Sequence, residues 1–168
     1  MTRHYQGRII SVDVDHVTLP NGNPATLERV NHPGGAAIVA LNEHDEVCLL
    51  SQYRHVTHGR IVELPAGKLE HGDPLVTAQT ELAEEAGLTA QQWQSLGIIY
   101  SSPGVFTEVI HLYLARGLST TASAHEPAED IQIFWRPLDA AVTSALTGEY
   151  QDAKTIIGLI RAHAALRA

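Results

Sequence analysis

Cysteine, methionine and phenylalanine are scarce in this chain of 168 residues, with one, one and two copies. A single thiol, Cys48, excludes an intrachain disulfide and any metal site built from several thiolates. In "EVCLLSQY" that thiol has apolar neighbours on a strand-like run, so packing rather than nucleophilic chemistry is its expected role. Long apolar runs are also missing. No window approaches the roughly 18 uninterrupted apolar residues that cross a bilayer, so no membrane partner is expected. The opening "MTRHYQGRII" carries charge with no apolar stretch behind it; no secretory signal is expected, and the cytoplasm is the expected home. Bases are few: 11 Lys and Arg against 19 Asp and Glu, a net charge of −8. That balance opposes a nucleic-acid footprint, which needs clustered bases to meet phosphates. A small phosphorylated substrate stays open, provided that metal cations bring it to an acidic site.

What is present reads as one domain over residues 1–168, with 44% apolar and 18% charged residues. The first third is strand-like. "GRIISVDVDHVTLP" alternates and is rich in Val and Ile, "PNGN" is a turn, and "ATLERV", "AAIVAL" and "EVCLLSQY" follow. "RIVELPAGK" starts as a strand and breaks at Pro65 and Gly67. The period then changes. Asp73 suits a helix cap with Pro74 at the first position; Leu75, Ala78, Leu82 and Ala86 recur at helical spacing, and Gly87 is a stop. Strands return at "SLGIIYSS", "VIHLYLARG" and "IQIFWRPL", and helices close the chain over about 137–146 and 152–167. The order implies an α+β sandwich.

The helix over 74–86 carries no Lys or Arg, yet it places Glu81, Glu84 and Glu85 on one face. Like charges at that spacing cost roughly 0.2–0.5 kcal/mol per pair. They also crowd the negative pole of the helix dipole, at roughly 0.3–1 kcal/mol each. A solvated acidic face is one explanation. The other is a hard divalent cation, since Mg²⁺ takes such oxygen ligands and keeps waters and phosphates as its remaining partners. His55 and His58 are three apart, but no third ligand supports a zinc site, and ordinary histidines are expected there.

This stretch, "GKLEHGDPLVTAQTELAEEAG", resembles the box of the Nudix hydrolases. Its second half, Glu81-Leu82-Ala83-Glu84-Glu85-Ala86-Gly87-Leu88, matches at every fixed position but the first, where Thr80 replaces Arg; the first half is one residue short. "VNHPGGAAIVAL", "QYR", "ELPAGKLE", "SSPGVFTEVIHLYLARGL", "WRPLDAA" and "TGEYQDAKTIIGL" follow the order of the ADP-ribose and nucleoside-diphosphate-sugar pyrophosphatase branch, from about residue 6 to 160. The resemblance implies a Nudix-type α/β/α sandwich with a mixed sheet. It implies Mg²⁺, or Mn²⁺ in its place, held by the Ala66 carbonyl and the carboxylates of Glu81 and Glu85, with Glu84 assisting. The implied reaction is hydrolysis of the pyrophosphate bond of ADP-ribose or a related nucleoside-diphosphate sugar.

The same resemblance draws the general base from the acidic loop "HEPAEDIQIF", with Glu129 the first choice and Glu126 the second; a solvated loop is the alternative. Arg54 is implied to meet a phosphate, or else to make a surface ion pair. Glu63 and Glu108 are implied to meet sugar hydroxyls, and Pro103 to shape the loop over the terminal sugar. Residues 1–35 are implied to be a strand extension that pairs two chains into a homodimer, against a monomeric sheet edge. The family's box Arg holds its glutamates in place, and Thr80 offers only a hydroxyl. Restoring Arg would therefore raise turnover if ligand orientation were the only defect. The competing class is a non-catalytic Nudix-like protein that senses a nucleotide.

Overall fold

The run "GAAIVA" forms a strand whose six residues are all buried, which requires cover on both faces. In the computed structural model, which describes residues 1–70, 72–124 and 130–167, both covers are helical. This strand, β4 (Gly35–Ala40), sends Ala36, Ile38 and Ala40 into one apolar cluster and Val39, followed by Leu41, into another. The first cluster is closed by Ala78, Leu82 and Ala86 of helix α1 (Pro74–Ala86). The second is closed by Leu138, Ala141, Val142 and Ala145 of α2 (Leu138–Leu146) and by Leu159 and Ala162 of α3 (Ala153–Ala165). The period of two along β4 thus becomes the two sides of an α/β/α sandwich.

Among the described residues, three sheets organise the strands. In the central one β4 lies between β7 (Ala66–Lys68), antiparallel, and β9 (Val109–Thr120), parallel; β9 then pairs antiparallel with β8 (Leu88–Tyr100). The mixed sheet is as the resemblance implies. A second sheet has β5 (Glu46–Arg54) between β10 (Ile131–Pro137) and β6 (Gly59–Glu63). The third is N-terminal: β1 (Thr2–Gln6), β2 (Ser11–Thr18) and β3 (Pro24–Asn31). Among the described residues no helix is long and apolar enough to cross a membrane.

"RIVELPAGK" breaks at Pro65 as expected, but not at Gly67, which lies inside the next strand because it pairs with Ala36 of β4. β6 ends at Glu63 in the second sheet and β7 begins at Ala66 in the central one, so Pro65 marks the passage between sheets. β1 and the first half of β8 also escape the sequence reading. All of β1 is exposed and polar enough to show no alternation; it is held by pairing with β2 and by Arg3, whose Nε donates to Asp13 Oδ1 at 2.8 Å. β8 starts at Leu88, directly after the helix stop, because "LTAQQWQ" pairs with β9 despite its polar content. A bulge between Ser95 and Gly97 (φ 84°) bends β8, an angle that glycine tolerates.

Candidate active site

Helix α1 is fixed by local chemistry at both ends. The Asp73 carboxylate accepts from Leu75 N–H at 2.9 Å, Pro74 occupies the first turn, and Gly87 takes the left-handed conformation (φ 63°) with its N–H on Ala83 O. With Ala78, Leu82 and Ala86 buried in the core, the rotation of the helix is set. Glu85 is then carried inward to 3% exposure, Glu81 is half-buried and Glu84 is exposed.

Both inward glutamates meet the same piece of backbone. Glu85 Oε2 accepts from Ala66 N–H at 2.8 Å. Glu81 occupies the space where Gly67 lacks a side chain: a Cβ there would lie 1.7 Å from Glu81 Oε1 and 1.9 Å from its carboxyl carbon. β7 therefore serves as a rack for two carboxylates from the end of α1, and the resemblance's three ligand residues, Ala66, Glu81 and Glu85, are in one place. No base occupies the last turn of α1. Among the described residues, no three His, Cys, Asp or Glu side chains form a group that could hold a metal by themselves. Carboxylate and carbonyl oxygens, with room for water and phosphate, are nevertheless the donor chemistry that a hard divalent cation takes. The residues fit such an ion.

Cys48 lies behind this site on β5, fully buried. Burial, with a smaller contribution from the Glu85 charge, pushes its thiol up to about 12, which removes it as a nucleophile near neutrality.

A second charged group sits beside the first. Glu63 ends β6 with its side chain 2% exposed. Arg54, at the end of β5, clamps it with Nε to Oε1 at 2.6 Å and Nη2 to Oε2 at 2.9 Å. Lys154 Nζ on α3 also donates to Oε2 and pairs with Asp152 Oδ1 at 3.0 Å. Burial alone would raise the Glu63 carboxyl, but the Arg54 hydrogen bonds and the Lys154 charge outweigh it and hold it below the usual value. Arg54 in turn feels the charge of Glu85, which ties the two groups together electrostatically. Sequence reasoning missed Lys154 and Asp152. One signal existed: a lysine in the first turn of a helix opposes the dipole, so it calls for a carboxylate nearby.

Pro103 and Glu108 are placed against the N-terminal sheet. Pro103 is exposed in a turn closed by Val105 N–H on Ser102 O at 3.1 Å. That turn docks on the end of β3 through Val30 N–H to Val105 O (2.8 Å) and Thr107 N–H to Val30 O (3.0 Å). Glu108 Oε1 lies 3.2 Å from His32 Nδ1. Glu126 and Glu129 lie outside the described residues. The described residues flanking them are anchored to α1 and to β6. Ala124 N–H donates to Glu84 O at 3.0 Å, and Asp130 accepts from Arg60 Nη1 at 2.7 Å.

Comparison with known proteins bears on the family and the fold. The NUDIX domain family model matches residues 31–158. A methanol dehydrogenase activator of Bacillus methanolicus is 40% identical over 158 residues, spanning 92% of this chain and 85% of its own. An ADP-ribose pyrophosphatase of Bacillus subtilis strain 168 is 37% identical over 154 residues, 90% of this chain and 83% of its own. A GDP-mannose pyrophosphatase of Citrobacter koseri is 32% identical over 159 residues, 88% and 83% of the two chains. The crystal structure of an ADP compounds hydrolase superposes with a TM-score of 0.83 over 98% of this chain and 90% of its own; at 20% identity it bears on the fold alone.

Proposed function

The chain belongs to the Nudix hydrolase family, and on that premise we propose that it cleaves the pyrophosphate bond of ADP-ribose or a related nucleoside-diphosphate sugar. Water attacks one phosphorus, the bridging P–O bond breaks, and a nucleoside monophosphate and a sugar phosphate leave. The observation that carries this reading is the convergence of Glu81 and Glu85 on the backbone of residues 66–67. Enzymes of this family depend on a divalent metal, here Mg²⁺ or Mn²⁺, which when bound neutralises phosphate oxygens and acidifies the attacking water. Glu81, Glu85 and the Ala66 carbonyl would hold it, with Glu84 assisting from the exposed side of α1.

Arg54 orients the diphosphate. Two of its nitrogens bind Glu63, which leaves the third outside that pair. Glu108 meets sugar hydroxyls and Pro103 shapes the turn over the terminal sugar. Glu63 is the second acceptor proposed for sugar hydroxyls, since a carboxylate oxygen that already meets Arg54 can accept a further hydrogen bond. Glu129, or in second place Glu126, removes the proton from the attacking water; the anchoring of Ala124 to α1 and of Asp130 beside β5 and β6 supports a base from between them. Residues 1–35 pair two chains into a homodimer, a reading supported by Tyr5, Ile9, Val17, Leu19 and Leu27 exposed on the N-terminal segment. The cytoplasm is its expected location.

The test is a screen of nucleoside-diphosphate sugars by phosphatase-coupled phosphate release, with Glu85→Gln as the blank. ADP-ribose or a close analogue should give turnover that the blank lacks. Equal signals from wild type and blank across the whole screen would overturn the proposal.

A further inference from the structure

Lys154 stands in an unusual place for a cation. It occupies the first turn of α3, where the helix dipole repels it, and its side chain is only 14% exposed. Two carboxylates hold it there, Glu63 Oε2 and Asp152 Oδ1. The other Asp152 oxygen caps the same helix, accepting from Thr155 N–H at 3.0 Å and from Thr155 Oγ1 at 2.6 Å. Thr155 Oγ1 in turn accepts from Leu64 N–H at 2.9 Å. The start of α3 is therefore stapled to the segment that leads from Glu63 into the carboxylate rack. This chain of contacts ends at Arg54, whose Nε and Nη2 both rest on Glu63 while its side chain remains 39% exposed.

The charges make the arrangement informative. Arg54 and Lys154 are balanced by Glu63 and Asp152, a neutral set beside an acidic helix. Without the lysine the set would carry a net negative charge. Glu63 would then have Arg54 as its remaining cation, and the guanidinium would be drawn inward at the expense of any external anion. We infer that Lys154 is a positioning residue: by sharing the buried Glu63 carboxylate with Arg54, it keeps the Arg54 guanidinium aimed at, and available to, the diphosphate of the substrate. This inference rests on the diphosphate reading above, and it assigns Lys154 no contact with substrate.

The experiment is a double-mutant cycle on the full chain, read by KM and kcat for ADP-ribose with Mg²⁺ and by calorimetric affinity for ADP-ribose after chelation, when it is not consumed. Lys154→Met should raise KM and Kd about tenfold with a smaller change in kcat. Lys154→Arg, which keeps the charge, should recover most of the loss. In an Arg54→Met background, Lys154→Met should add almost nothing, since its effect passes through Arg54. Wild-type KM and Kd in Lys154→Met, or full additivity with Arg54→Met, would overturn the inference while leaving the proposed activity intact. Loss of the fold in both Lys154→Met and Lys154→Gln would also overturn it, marking the lysine as merely structural. Wild-type protein that neither turns over nor binds ADP-ribose would sink the activity and this inference together.

Discussion

Gly67 carries the sharpest consequence at the scale of one residue. Its backbone angle is not in the left-handed region, so substitution brings no backbone strain. What it would bring is a methyl group into the position of the Glu81 carboxylate, the mobile end of a long side chain. Gly67→Ala should therefore cost little stability while expelling a ligand. We expect a Tm within a few degrees of wild type and kcat/KM lower by at least about a hundredfold, the upper end of what even indirect disturbance of metal ligands costs. A normal rate in a normally folded variant would show that Glu81 is not needed where it lies. Glu63 supplies a second residue-scale prediction. Its carboxyl is held below the ordinary value in the folded chain, so the unfolded chain binds the proton more tightly. The stability from this group is complete above the ordinary carboxylate value of about 4.3 and is lost as pH falls through the lower folded value. Acid titration of stability should therefore show a steep limb below about pH 4. Glu63→Gln should flatten that limb; an unchanged limb would contradict the assignment.

At the scale of elements, α1 was legible almost residue by residue because its boundaries are decided locally: Asp73 caps its own neighbour and Gly87 turns where no other residue turns cheaply. Glu81 and Glu85 were legible as a pair for the same reason. The pairing of Arg54, Glu63 and Lys154 was not, since Lys154 lies 91 positions from Glu63 and only the packing of α3 brings them together. β1 and the first half of β8 were missed because exposed polar strands owe their existence to a partner strand rather than to a pattern. The rack also bears on Thr80, which is exposed on α1 one residue before Glu81. Ala66 N–H donates to Glu85 and the missing side chain of Gly67 leaves room for Glu81, so the backbone of β7 contributes to the placing of both inward carboxylates. Thr80→Arg should add a few tenths of a kcal/mol through a pair with Glu84, as about 0.2–0.5 kcal/mol is usual for such spacing. Its kcat should stay within about twofold of wild type, the range of an ordinary surface change. A large rise in kcat would show that the backbone alone leaves the glutamates misplaced.

The molecule as a whole joins a sandwich that builds the site to an N-terminal sheet, and Val30 and Thr107 fasten the Pro103 turn to β3 where the two meet. That outlying sheet buries Asp13 among Arg3, Arg29 and Asn31, so it has a polar core of its own, and it leaves Tyr5, Val17 and Leu27 exposed while Val12, Val14 and Val30 are half-buried. Light scattering should give twice the chain mass. Leu27→Lys, at a position 46% exposed in the single chain, should shift the species to monomer without loss of secondary structure. A monomer in wild type would remove the dimer reading and leave the site chemistry standing. The most direct test of the central claim is nucleotide-sugar turnover after exhaustive chelation and stepwise return of Mg²⁺. Activity should vanish on chelation and return in wild type, with Glu85→Gln failing to recover. Hydrolysis that proceeds equally with and without a divalent ion would contradict the whole account.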